Sequence, residues 1–191
     1  MQLEPLQASF VAELTAAAAE DRSTYDWTAV PASEPAMQAY VDRLLADQTA
    51  GNAMVFAQRR SVDNALVGCT RYMRLEWWAG RPLPVEVEIG GTWLAASAQR
   101  TAINTEAKFL LLRHAFESYG VNRVTLCTDM LNERSRAAIL RIGATFEGVL
   151  HSHRESYAHP GAPRDSAVYG IIASDWPRVG TALLTRLGHP D

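Results

Sequence analysis

The stretch Gln99-Arg100-Thr101-Ala102-Ile103-Asn104 lies between a strand-like run, VEVEIGGTWL, and a strongly apolar helix-like run. A turn that feeds straight into a helix can bind an anion. The first backbone N–H groups of the helix have no intrahelical acceptor, and the positive end of its dipole stands behind them. A pyrophosphate fits such a place. Gln99, Arg100, Thr101, Ala102, Asn104 and Thr105 are therefore the candidate phosphate-binding residues, and Arg100 can add direct charge. The alternative is a plain loop capped by Thr101 or Asn104.

A second pair, Asn132 and Ser135, opens a short helix directly after the strand-like run VNRVTLCTD. Asn is a good N-cap and Ser is tolerated in a first turn, so these two residues alone are not diagnostic. In VEVEIGG, Val85, Val87 and Ile89 face one way, and Glu86 and Glu88 face the other. Gly90-Gly91 within the same strand suggests a bulge or a close backbone approach. His151 and His153 share one strand face, but two histidines without a third placed ligand make no zinc site. Cys69 and Cys127 are far apart and form neither a CxxC motif nor a disulfide framework, so they read as cytosolic thiols.

The elements that must position these groups follow from hydrophobic periodicity. Phe10, Val11, Leu14, Ala17 and Ala18 predict a helix over about 7–20. A loop containing Pro31 and Pro35 follows. Pro35 then opens a second helix with Ser33 or Glu34 near its cap, and Met37, Tyr40, Val41, Leu44 and Leu45 lie on one side. NAMVFAQRR, LVGCTRYMRLEWW and LPVEVEIGGTWL read as an antiparallel meander, with a turn at Asp63-Asn64. The helix over about 104–119 is apolar round most of its circumference, hence buried, and Gly120 closes it. A strand, the short Asn132 helix ended by Gly143, two more strands and a capped C-terminal helix complete the chain.

At 191 residues the chain reads as a single domain, 1–191, able to bury a proper core. A net charge of −3 with no basic block disfavours nucleic acid as the main partner. The N-terminal segment lacks the pattern of a secretory signal, and no apolar run approaches the ~20 residues of a membrane span. The expectation is a cytoplasmic protein with no membrane partner.

Taken together, QRTAIN and the later TDMLNERSRAAILRIGATFEGVL resemble the core of the GCN5-related N-acetyltransferase (GNAT) superfamily, and more closely its RimJ/RimL branch. The resemblance covers about residues 85–150, and LEPL near the start and RDSAVYGII near the end also fit. It implies an α/β (α+β) GNAT fold, a mixed, mostly antiparallel splayed sheet flanked by helices. It also implies acetyl-CoA as co-substrate, no metal, and an amine acceptor that is a peptide N-terminus or a small amine. In the family a Q/R-x-x-G-x-G/A turn binds the pyrophosphate, which puts Gln99 at the first position and Ala102 and Asn104 at the small-residue positions. Ala102 departs from the usual glycine and does not freely adopt positive φ.

The same resemblance places Asn132 beside the pantetheine, with Arg134 as a further cation and Ser135 near the thioester sulfur. No Tyr is present in that helix, where many relatives use one to protonate the thiolate. Acyl transfer to an amine needs a proton acceptor, a polarised carbonyl and a leaving thiolate. Glu88 is the candidate base, with a solvated strand carboxylate as the alternative. Backbone N–H groups near Thr92, Trp93 and Leu94 are the candidates for polarising the carbonyl. Trp27, Tyr72, Trp77 and Trp78 fall on what would be the acceptor side, with Glu76 attracting a cationic amine. Packing is the rival role for Trp77 and Trp78, and as adjacent strand residues they must face opposite ways. A non-catalytic CoA-binding module is the alternative function. Monomer and homodimer both stay open.

Overall fold

The computed structural model describes residues 1–188. Its strands are β1 (Gln2–Pro5), β2 (Ala53–Arg59), β3 (Leu66–Glu76), β4 (Glu86–Leu94), β5 (Arg123–Asp129), β6 (Thr145–Glu155) and β7 (Pro163–Ile172). Its helices are α1 (Val11–Ala19), α2 (Glu34–Thr49), α3 (Ile103–Arg113), α4 (Glu133–Arg141) and α5 (Trp176–Arg186). Hydrogen bonding joins the strands in the order β1-β2-β3-β4-β5-β7-β6. By contacts the chain forms two compact units. One is Met1–Met73 with Gly90–Ala107, the other Arg74–Ile89 with Lys108 onward.

In the first unit, β1, β2 and β3 pair antiparallel. β1 was not expected. It is four residues long and ends at Pro5, too short for alternation to show, but it gains its hydrogen bonds by lying along β2. Arg59 anchors this edge, its Nε 2.6 Å from Glu4 and its Nη1 3.2 Å from Glu13. α2 starts as its sequence suggests. Ser33 accepts from the N–H of Ala36, and Pro35 stands in the first turn, where its missing N–H costs nothing. Leu14 of α1 and Met37, Val41 and Leu44 of α2 are fully buried, in one apolar cluster with Val55, Ala57, Val67 and Cys69 of the strands. The predicted irregularity in β4 lies at Gly91, whose φ is +57 and whose absent Cβ would fall 2.9 Å from the Arg71 guanidinium carbon.

In the second unit, β4 pairs β5 in parallel only over Glu86–Glu88 against Arg123–Thr125. β5 then pairs antiparallel with β7, and β7 with β6. Val87, Val124, Leu126 and Ile171 bury the inner face together with Leu111 and Leu112 of α3. The periodicity predicts an unbroken α-helix to Tyr119. The chain instead changes to π-helical hydrogen bonding over His114–Tyr119 before Gly120, at φ +63, ends it. Here Phe116 stacks on Trp176 of α5 at 5.5 Å, and the Trp176 indole N–H donates to Glu117 at 2.9 Å. This tertiary contact is invisible in local sequence.

β6 also departs from expectation. Leu150 pairs with Ser166 and Arg154 with Arg164, so residues 151–153 stand opposite the single residue Asp165. Ser152 takes φ +48, and Asp165 fastens the bulge by accepting from the Ser152 N–H at 2.9 Å and lying 2.8 Å from His151 Nδ1. His151 and His153 therefore do not share the regular strand face that alternation implied.

Candidate active site

The turn before α3 is built largely from its own hydrogen bonds. After Leu94, Ala96–Ala98 form a single 3-10 turn. The Gln99 side chain donates back to the Leu94 carbonyl at 2.9 Å, and the buried Tyr25 hydroxyl donates to the same oxygen at 3.1 Å. Gln99 thus closes the turn on the strand end. Thr101 donates to the Ala98 carbonyl at 2.7 Å and accepts from the Ile103 N–H.

Among the described residues of the turn, the one at positive φ is Arg100 (+59), not Ala102. Ala102 therefore costs no left-handed strain in the position where relatives carry glycine. Arg100, Thr101 and Ala102 are exposed, and Thr105 is buried. Asn104 and Thr105 lie in the first turn of α3, where backbone N–H groups lack intrahelical acceptors. Exposed small residues, a free-standing cation and helix N–H groups together suit a diphosphate. On β4, Trp93 and Leu94 are buried, and the hydroxyl of Thr92 lies 2.9 Å from that of Thr70.

Asn132 is the N-cap of α4. Its side-chain oxygen accepts from the Ser135 N–H at 3.0 Å, which leaves its amide N–H₂ as the group able to meet a ligand. Ser135 is half-buried and Arg134 exposed. The strand end before α4 is tied down by Asp129, which accepts from the Leu131 N–H at 2.9 Å.

A cleft lies wholly within the second unit. Its volume is about 490 Å³, and its lining includes Arg74, Glu76, Trp78, Glu86, Glu88, Arg123, Cys127, Leu150, His153 and Arg154. Glu88 sits on its floor, at the last residue of the parallel pairing with β5. It is not a solvated strand carboxylate: it is 4% exposed. Arg154 grips it with both forks, Nη1 to Oε1 at 3.1 Å and Nη2 to Oε2 at 2.7 Å, while Arg74 Nε stands 3.5 Å from Oε2. Burial is the largest influence on Arg154 and opposes its charge, but the hydrogen bonds it donates to Glu88 and the charge of that carboxylate together hold the guanidinium pKa above its ordinary value. His153 is driven the other way. Burial first, then the nearby Arg154 and Arg74 cations, lowers its pKa below the ordinary imidazole value.

Of the aromatic candidates, Trp78 lines the cleft and Trp77 does not; both lie beyond β3, which ends at Glu76 and not at Trp78 as expected, so the loop and not strand alternation sets this division. Tyr72 is fully buried, edge-on to Phe56 at 6.1 Å, so it offers no surface to an acceptor. Trp27 is half-buried in the first unit, outside this cleft, whereas Glu76 lies on the cleft wall. The residues that sequence reasoning missed are Arg74, Arg123 and Arg154, and it weighed His153 only beside His151 and against a zinc site. No local signal marks them: Arg154 and Glu88 are 66 positions apart, and the bulge that sets His153 into the cleft depends on Asp165 from the next strand.

The family model of the acetyltransferase (GNAT) domain matches residues 1–145, and the chain belongs to that family. The mixed, mostly antiparallel sheet with its flanking helices is the GNAT fold. A structure of a GCN5-related N-acetyltransferase from Brucella melitensis superposes with a TM-score of 0.81 at 27% identity, covering 96% of this chain and 80% of that one. Over 86 residues the chain is 34% identical to YdaF of Bacillus subtilis (strain 168), named as a ribosomal N-acetyltransferase. That match covers 45% of each chain, so less than half of the relative's length is spanned. Mycobacterium smegmatis RimJ, in complex with CoA-disulfide, has the same fold at a TM-score of 0.78 and 23% identity, covering 98% of this chain and 88% of that one.

Proposed function

We propose that the protein is an N-acetyltransferase that moves an acetyl group from acetyl-CoA to a primary amine in a ternary complex. The amine belongs to a protein N-terminus or a small molecule. The observation that carries this reading is Glu88, a buried carboxylate on the floor of a cleft in a chain of the GNAT family. Acetyl-CoA supplies an activated acyl group on a thiol leaving group. The exposed turn of Arg100, Thr101 and Ala102, with the first N–H groups of α3, is suited to its pyrophosphate.

Glu88 accepts the proton from the incoming amine, directly or through one water. The amine lone pair forms the new N–C bond, the C–S bond breaks, and the electron pair leaves on sulfur. Backbone N–H groups near Thr92–Leu94 are the candidates for polarising the carbonyl. Ser135, whose hydroxyl makes no hydrogen bond among the described residues, is the candidate for meeting the sulfur, in place of the Tyr that this helix lacks.

One observation favours a second reading, a non-catalytic CoA-binding module: the double grip of Arg154 on Glu88 occupies both carboxylate oxygens. Two further lone-pair sites remain on a carboxylate held in this way, and they suffice for a base. Calorimetry with acetyl-CoA, 3′-dephospho-CoA and pantetheine tests the reading. Micromolar binding that is lost with pantetheine, followed by turnover on a panel of amines and peptide N-termini, is the expected result. Binding without turnover on any amine would favour the module, and no binding at all would remove both readings.

A further inference from the structure

The charges round Glu88 do not balance. Arg154 and Arg74 share this one carboxylate, two cations on one anion, and Glu76 on the cleft wall forms no ion pair with either among the described residues. Arg123 is held the other way, facing Glu86 of the cleft lining at 3.3 Å and, outside that lining, Glu147 at 2.6 Å, one cation to two anions. Gly170 leaves room for that second pair, since a Cβ there would fall 2.4 Å from the Glu147 carboxylate.

The Glu88 side also holds unused polar groups. Arg154 Nε–H, a donor, and His153 Nδ1, a donor or acceptor by tautomer, are buried without a hydrogen-bond partner among the described residues. Buried groups of this kind are rare in a finished core, and the Arg154 N–H at the wall of a cleft suits a ligand oxygen. Arg74 stands at φ +50, a conformation unfavourable for a side chain with a Cβ, and its guanidinium is half-exposed. A strained residue that holds a half-satisfied cation beside a buried carboxylate is placed for something besides stability. Next to these charges, Trp78 and Leu150 expose large apolar surfaces on the cleft wall.

We propose that Arg154 and Arg74 form a carboxylate-binding subsite, and that the acceptor is a small α-amino acid with an apolar side chain. This rests on the acetyl-transfer reading. An α-amine is one carbon away from its carboxylate. A carboxylate held on Arg154 Nε–H and on the Nη groups of Arg74 therefore sets the amine beside Glu88, with its side chain against Trp78 and Leu150. A peptide N-terminus has an amide in place of this carboxylate and leaves the cations unmatched.

The test uses the full chain saturated with CoA and two products that differ only in the carboxylate, N-acetyl-L-leucine and N-acetyl-L-leucinamide. The acid should bind about tenfold to a hundredfold more tightly, as expected for charge-assisted hydrogen bonds in a half-open site. Arg74→Gln, at a half-exposed position where folding is tolerant, should bring the ratio close to one. Arg154→Lys keeps the charge but loses the fork, and should lower the ratio part of the way. Turnover of L-leucine against L-leucinamide, each referred to its neutral-amine fraction, should show the same preference. Equal affinities, or binding of neither product, would overturn the subsite. If acetyl-CoA itself does not bind, the acetyl-transfer reading fails first. If acetyl-CoA binds and leucinamide is acetylated as well as leucine, the subsite alone fails.

Discussion

The turn before α3 and the cleft round Glu88 are built in opposite ways. The turn is assembled from neighbours: Gln99 reaches Leu94, Thr101 reaches Ala98 and Ile103, and a left-handed Arg100 carries the chain into the helix. The groups proposed to bind there are backbone N–H groups and the Arg100 cation, so the other side chains matter chiefly through size and φ. The cleft is assembled from distant charged side chains on β3, β4, β5 and β6 that hold one another in shared ion pairs. A backbone site should tolerate substitution, and Ala102 sits in the turn without a left-handed φ. A paired-charge site should not, because removing one member strands another.

The largest expected effect separates the two designs. Glu88→Gln leaves Arg154 and Arg74 without their carboxylate. Loss of one partner of a buried pair costs about 3–5 kcal/mol, and with both arginines partly exposed the expected loss is about 2 kcal/mol in urea unfolding. The same change should lower kcat about a hundredfold at saturating acetyl-CoA. A stability loss with unchanged kcat would make Glu88 a structural anchor of the cleft and favour the non-catalytic reading.

Lys108 gives the next effect and a pH signature. It is buried on α3, and desolvation brings its pKa down to about 7. Its folded value lies below the unfolded one, so the unfolded state holds the extra proton between the two. The penalty is fully present below pH 7 and is relieved as pH rises towards about 10.4, the unperturbed lysine value. Unfolding free energy should therefore climb above pH 7 by up to roughly 1.4 kcal/mol per pH unit. Lys108→Met should abolish that slope, and denaturant midpoints measured across pH 6.5–9 at about half-unit steps would show it.

Two smaller changes probe the local sites. Arg100→Gly removes a left-handed side chain, so stability should rise by about 1 kcal/mol while acetyl-CoA affinity, read by calorimetry, falls for want of the cation. Asn132→Ala removes the α4 cap and should cost about 1 kcal/mol in thermal or chemical unfolding. If the Arg100 variant binds acetyl-CoA as tightly as the parent, the turn acts through backbone alone. That would sharpen the contrast with the cleft.

The sequence by itself determined whatever is written in short range. Pro35 and Ser33 set the start of α2, Gly120 the end of the helix after the turn, and Gly91 the irregularity of β4. Alternation put Glu86 and Glu88 on one face, away from Val87. These are backbone preferences and periodicities of two to four residues, which a chain carries wherever it folds. The resemblance in QRTAIN and NERSRAAILRIGA belongs to the same kind of information, because each motif is contiguous.

Only the tertiary structure decided the rest. It chose Trp78 over Trp77 for the cleft wall, sealed Tyr72 in the core, and set His153 into the cleft through a bulge fastened by Asp165. It also changed the end of α3 to π-helical turns where Trp176 packs against Phe116. Above all it brought Arg154 across 66 positions to grip Glu88. Ion pairs, bulges and buried contacts depend on which strands become neighbours, and strand pairing is set by the whole apolar pattern of the chain rather than by the residues that meet.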